Sequence, residues 1–185
     1  MSDRLHEAAE ALLHRIDAIA EEGGWDQPPR LYAVVTPDRD EASEQPLRAI
    51  EVHQFMDLSI EGNDTLDVLG ALVDAFRRRQ SAEGRVRLPE GFYGWAVLLE
   101  AWMLRLPEGA MEPGLELGQP LEEHPDRIEV RLIYCTTVDA EVIGLSRERG
   151  FDPELVDPDH IAEDGGRVPS LMRELADLSR QEEVA

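Results

Sequence analysis

Apolar residues in the first part of the chain recur at three- and four-residue steps. Leu5, Ala9, Leu12, Leu13, Ile16 and Ile19 or Ala20 fall on one side of Asp3 to Glu22, with Glu7, Glu10, Arg15, Asp17 and Glu21 facing away. That period predicts an amphipathic helix, and Gly23-Gly24 supplies its stop. A second stripe, Leu66, Leu69, Leu72, Val73 and Phe76, predicts a helix that starts at Asp64 or Thr65 and runs to Gln80. A third, Leu171, Met172, Leu175 and Leu178, predicts one from Pro169 or Ser170 to Ser179.

Between these stripes the period changes. Pro28-Pro29 imposes an extended entry, so Leu31 to Val35 reads as a short strand that Pro37 ends. Ile50, Val52 and Phe55 or Met56 fit either a short strand or a brief helix. Gly91 to Leu104 is the most apolar run and carries Trp95 and Trp102, two of the chain's three tryptophans. Its aromatic and β-branched content predicts a central strand, with a buried helix as the competing reading. Alternation along Arg127 to Cys135 sets Ile128, Val130, Leu132 and Tyr134 against Glu129, Arg131, Ile133 and Cys135. Thr136 to Ala140 then connects to a returning strand over Glu141 to Arg147. Residues 106–125 read as a long connection, and Phe151 to His160 as irregular chain. The sum is an α+β fold: a single domain over residues 1–180, with a mostly antiparallel sheet of four to five strands, two to three packed helices, and a frayed tail over 181–185.

Charge narrows the chemistry. Forty acidic residues against 18 basic ones give a net charge of −22, and every basic residue is arginine. Without lysine there is no Walker-A lysine, Schiff base or lysine general base. A surface this acidic repels phosphates, so direct nucleic-acid binding is not expected. No apolar run is long enough to span a bilayer, no secretory signal is visible, and the lone Cys135 allows no internal disulfide; a cytoplasmic protein without membrane contact is expected. No glycine-rich phosphate loop, His-Glu-x-x-His or Gly-x-Ser-x-Gly motif occurs, so no cofactor, metal or catalytic residue is assigned. His53, His124 and His160 are the only plausible bases for Cys135, which itself reads as a small buried hydrophobe.

Two charged groups stand out. On the central strand Glu100 shares a face with Phe92, Gly94, Ala96, Leu98 and Trp102, where an unpaired carboxylate is costly. Arg131 and Arg147, from the two following strands, are its expected partners, with Arg105 a further candidate. The three residues Glu100, Arg131 and Arg147 form either a structural ion-pair network or a ligand-binding or catalytic pocket, unless Glu100 is exposed at a strand edge. Arg77, Arg78, Arg85 and Arg87 crowd the end of the second helix, where they answer the helix dipole and acidic neighbours or contact an anion or acidic partner.

Trp25 to Val35, and His124-Pro125-Asp126-Arg127 followed by a strand, resemble small, acidic, uncharacterised actinobacterial proteins of unknown function. The resemblance implies an intracellular bacterial origin and carries no activity. The leading functional expectation is a noncatalytic protein-binding or accessory protein, with a protein partner or self-association. The alternatives are a small-molecule anion-binding protein or small enzyme built on Glu100, Arg131 and Arg147, and an acidic mimic of nucleic-acid charge that occupies a basic protein.

Overall fold

The computed structural model describes residues 3–37, 46–52, 65–83, 88–105, 123–157 and 167–180. In chain order these form α1 (Asp3–Gly23), β1 (Arg30–Val35), β2 (Arg48–Glu51), α2 (Thr65–Glu83), β3 (Phe92–Leu104), β4 (Arg127–Thr137), β5 (Val142–Glu148), β6 (Glu154–Val156) and α3 (Arg167–Arg180). The strands make one antiparallel sheet in the order β2-β1-β3-β4-β5-β6. The fold is α+β, with six strands where the sequence pattern indicates four to five.

Helices cover both faces of this sheet. On one face α1 packs Leu12, Leu13 and Ile16 against Tyr32, Val34, Ala96, Leu98, Ile133, Cys135 and Leu145. On the other, Leu69, Leu72 and Phe76 of α2 and Met172 and Leu175 of α3 meet Leu31, Ala33, Trp95, Val97 and Leu99. A strand buried on both sides has no polar face to alternate with, and β3 therefore reads as the near-continuous apolar run from which its helical alternative also arises. Trp95 is its largest fully buried side chain. Phe76 and Phe92 meet it edge-on at centroid distances of 5.4 and 5.1 Å, and its indole N–H donates to Ser179 Oγ at 2.9 Å. The Ser179 hydroxyl in turn donates to Leu175 O at 2.8 Å, so the buried polar atoms of this contact are paired.

The β1–β3 register shifts between Val34 and Val35: Val34 lies opposite Gly94 and Val35 opposite Phe92. This irregularity places Phe92 with the α2–α3 core and Tyr93 with the α1 core. Phe92 is thus not on the Ala96 and Leu98 face that simple alternation assigns it, because the extra residue inverts the side-chain sequence upstream of it. At the same place β3 and β4 come very close. A Cβ added to Gly94 would sit 1.9 Å from Thr136 O, so only glycine fits.

Other differences from the sequence pattern have local causes. Helix α2 continues to Glu83 rather than Gln80, which leaves Arg77 and Arg78 inside the helix and no basic residue in its last turn. The Phe151 to His160 stretch contains β6, too short for a two-residue period to show, and its pairing with β5 supplies what local pattern lacks. Asp17 does not face away: it is 1% exposed and packs against the sheet. Its position one step past Ile16 sets it at the margin of the apolar stripe, where a partner on the sheet decides the matter.

Gly94→Ala is expected to cost about 3 kcal/mol in urea denaturation, because a backbone carbonyl cannot yield as a flexible side chain does. Gly70→Ala in α2 serves as the contrast. Its added Cβ meets nothing within 4 Å, and a gain of roughly 0.5–1 kcal/mol is expected from helix propensity.

Candidate functional site

Of the three residues that the sequence places together, Glu100 and Arg131 bond directly, while Arg147 stands beside Arg131 and bonds Asp17 instead of Glu100. Across β3, β4 and β5 the register sets Glu100 opposite Arg131 and Arg131 opposite Arg147, a single cross-strand row. It lies on the α1 face, beyond the apolar core formed by Leu98 and Ile133. Two like charges directly opposite one another destabilise a sheet unless something answers them. The answer comes from α1 and the turn that follows it.

Arg131 is fully buried. Its Nε and Nη2 both donate to Glu100 Oε1, at 3.2 and 3.0 Å, its Nη1 to Glu21 Oε2 at 3.0 Å, and its Nη2 also to Gly24 O at 2.7 Å. Asp17 Oδ1 lies 3.6 Å from Nη1. The guanidinium plane stacks on Trp25, 4.6 Å from the ring centroid. Arg147 binds the same aspartate through Nε, at 3.1 and 2.9 Å, and through Nη2 at 2.5 Å, while its Nη1 donates to Phe151 O at 3.1 Å. Asp17 therefore bridges the two arginines. The hydrogen bond and charge of Asp17 raise the Arg147 pKa above its ordinary value.

The turn after α1 closes the cluster. The Gln27 backbone N–H donates to Glu100 Oε2 at 3.0 Å, and the Gln27 side-chain amide donates to Ala20 O and Gly24 O at 2.7 and 2.6 Å. Gln27 Oε1 accepts from Arg30 at 2.5 Å. The bond to Ala20 O satisfies a carbonyl in the last turn of α1. Asp26 takes a left-handed backbone, φ 66°, which aspartate tolerates better than most residues. Arg149 also lies over Trp25, its guanidinium 5.6 Å from the ring centroid, and pairs with Glu129 at 2.5 Å. Trp25 thus joins α1 to the sheet through arginine stacking.

Formally the cluster holds the two cations Arg131 and Arg147 and the three anions Asp17, Glu21 and Glu100. Asp17, Glu21, Trp25 and Gln27 are the members that sequence reasoning missed. The demand of two sheet arginines for acids was legible; which of 40 acids would answer was not. Arg105, the third candidate partner of Glu100, instead pairs with Glu148.

Away from this cluster, Arg77 bonds Asp74 at 3.3 Å and also pairs with Glu174 of α3, clipping α2 to α3. Arg78 is exposed, and Arg85 and Arg87 lie outside the described residues. His53 and His160 also lie outside them, and His124 Nδ1 accepts from Asp126 N–H at 3.2 Å. Cys135 is buried in the α1-side core, and burial pushes its thiol from 9.0 up to about 12. Among the described residues no group of three or more His, Cys, Asp or Glu is placed to hold a metal ion, and no helix is long and apolar enough to cross a membrane.

Fold and site together define an α+β protein whose antiparallel sheet is roofed by helices on both faces and carries a buried arginine–carboxylate cluster under the first of them. Residues 9–178 match the family model described as PPA1309-like protein, and the chain belongs to that family. No curated protein and no solved structure matches it.

Arg131→Met is expected to lose about 3–5 kcal/mol of stability in urea denaturation, since it leaves the carboxylate of Glu100 in the interior without its cation. Arg131→Lys is expected to recover only part, because an ammonium cannot reproduce the two-pronged contact with Glu100 or the stack on Trp25. Arg131→Met combined with Glu100→Gln should cost less than the two single changes added together.

Cys135 gives a prediction on pH. Above 9 an unfolded thiol loses its proton while the native one keeps it up to about 12; the unfolded state then binds fewer protons, and stability falls as pH rises through that window. Tyr93, which burial also pushes up to about 12, adds to the fall above its ordinary 10.0. Cys135→Ala should flatten the decline in the denaturation midpoint from pH 9 upward, leaving the tyrosine contribution that sets in above 10.

Proposed function

We propose that this chain is a noncatalytic cytoplasmic protein that works by binding another protein, as an accessory subunit or partner. One observation supports the reading above others. Arg131 and Arg147, the side chains best suited to clamp a substrate anion, have their guanidinium groups bonded to Asp17, Glu21, Glu100, Gly24 O and Phe151 O, under the cover of α1 and the Trp25–Gln27 turn. An anion entering there would compete with three carboxylates already in contact, and the low-dielectric setting that strengthens those contacts also penalises an added negative charge. The polar centre thereby acts as internal architecture, and recognition falls to the outer surface, whose charge is strongly negative.

A second reading keeps one observation in its favour: Glu100, Arg131 and Arg147 do converge in one row, as an anion-binding protein or small enzyme would require. In that case the end of α1 and its following turn would have to lift from the row to admit the ligand.

Tagged full-length chain, crosslinked in lysate of its source cells, is expected to retain a reproducible protein partner. Phosphate and succinate titrated into isotope-labelled protein are expected to leave the Trp25 indole and the Arg131 and Arg147 guanidinium signals unmoved. Absence of a reproducible partner, together with a saturable shift at those three residues, would transfer the assignment to the anion-binding reading.

A further inference from the structure

The outer strand β6 combines features found together nowhere else among the described residues. It ends the sheet, and no described strand pairs with its outer side. An edge of this kind presents backbone N–H and C=O groups that another extended chain can continue. The large apolar side chains that the described residues leave exposed are Ile19, Trp102, Met103, Phe151 and Leu155. Trp102 is overlaid by the Arg127 guanidinium at 4.8 Å. Phe151 and Leu155, 60% and 44% exposed, fall within five residues of one another at the β6 edge. The opposite edge, β2, has no exposed large hydrophobic residue.

The geometry of this edge is defined. Leu155 lies opposite Leu145, a member of the α1-side core, so Leu155 extends that core outward on the same face. Phe151 precedes it, with its carbonyl held by Arg147 at 3.1 Å. The buried cluster therefore fixes the backbone from which Phe151 projects. Glu154 lies opposite Ser146, one residue out of phase with Leu155, and so projects from the α2–α3 face. Asp152 and Glu154 are both exposed.

We propose that the β6 edge docks an extended basic segment of another protein, which adds a seventh strand to the sheet. Deepening the protein-binding reading above, and resting on it, this assigns both the surface and the chemistry of the partner. The incoming strand carries apolar side chains on the α1 face, against Leu155, and arginine or lysine on the opposite face, against Glu154, with Phe151 exposed beside the start of the strand. A second copy of this chain is the poorer occupant: edge-to-edge pairing would bring Glu154 and Asp152 of two copies together, each copy with a net charge of −22. Like charges across paired strands oppose association, whereas opposite charges steer and register it. The shortness of β6 and the glutamate at its start oppose self-association of the free protein while leaving the edge available to a basic strand.

The test uses the full chain and a fluorescein-labelled peptide of alternating arginine and valine. Saturable binding is expected in fluorescence anisotropy, with amide shifts and slowed hydrogen exchange centred on residues 154–156. The same peptide N-methylated at alternate residues, so that one edge cannot form ladder hydrogen bonds, is expected to bind about tenfold more weakly. Glu154→Arg and Leu155→Asp should each weaken binding of the unmodified peptide several-fold, with far-ultraviolet circular dichroism confirming that the fold persists. Equal binding of the methylated peptide, or shifts spread over the acidic surface, would reduce the interaction to bulk charge and overturn the proposal. Edge amides already slow to exchange in the free protein would show the chain's own residues covering β6, and would overturn it as well. In either case a partner captured from lysate, unaffected by Leu155→Asp, would leave the protein-binding reading standing on another surface. Peptide docking at β6 without any captured partner would have the reverse meaning: an edge competent to bind, and a failed functional reading.

Discussion

A guanidinium with no solvent exposure is costly, and Arg131 sets the terms on which the rest of this protein folds. Its desolvation is tolerable only when its donors find acceptors in good geometry. Those acceptors come from separate parts of the chain: Glu100 on β3, Glu21 and Asp17 on α1, and the Gly24 carbonyl just beyond α1. No local segment could satisfy it alone. The register then adds a second demand, because Arg147 stands directly opposite Arg131 on the neighbouring strand. Asp17 meets both demands at once by bridging the pair. Apolar packing holds α1 against the sheet, but it is tolerant of small slides and rotations; hydrogen bonds to two fixed arginines are not. The cluster thus sets where α1 lies, while Leu12, Leu13 and Ile16 supply most of the apolar burial beneath it.

The opposite face solves the same problem by other means. There α2 and α3 are joined to the sheet around Trp95, whose ring is bracketed by Phe76 and Phe92 and whose one donor is taken by Ser179. One polar atom inside an apolar assembly gives orientation at little desolvation cost, whereas the α1 face buries several formal charges. The two faces meet at the β1–β3 irregularity, where one extra residue moves Phe92 onto the Trp95 side and Tyr93 onto the α1 side. Gly94 lies at this point because the close approach of Thr136 leaves no room for a side chain.

How far the sequence reveals this depends on the range of each cause. The three helices follow from apolar stripes of period 3.6, a property of ten or more consecutive residues, and all three are present. The β3–β4–β5 row and the meeting of Glu100 with Arg131 follow from alternation plus the cost of an unpaired charge, and are equally legible. Strand β6 is not, since three residues between Pro153 and Pro158 carry no period. Asp17 is harder still. Its flank of the helix is polar, and only the presence of Arg131 and Arg147, more than a hundred residues later, turns it inward. The partners of Trp25, two arginines that lie over its ring, come from tertiary placement alone. The same holds for the arginines of α2: Arg77 finds Glu174 on a different helix, a pairing no local rule would choose among so many acids.

The charge balance of the protein follows from this division between interior and surface. Arg131 and Arg147 are turned inward and matched there, as Arg105, Arg149 and Arg77 are matched nearer the surface by Glu148, Glu129 and Glu174. Each such pair removes one cation from the field seen by an approaching molecule but removes only one of a much larger number of acids. The outward potential is therefore more uniformly negative than the count of 18 arginines suggests. A field of that sign repels other polyanions in general. Attraction then has to be localised where apolar side chains and open backbone groups accompany the acids, since charge alone gives rate and range but little affinity or register. Among the described residues, Phe151 and Leu155 beside the outer strand meet that condition. The carbonyl of Phe151 rests on Arg147, so the cluster that fixes α1 also steadies the edge where an incoming strand would find its register.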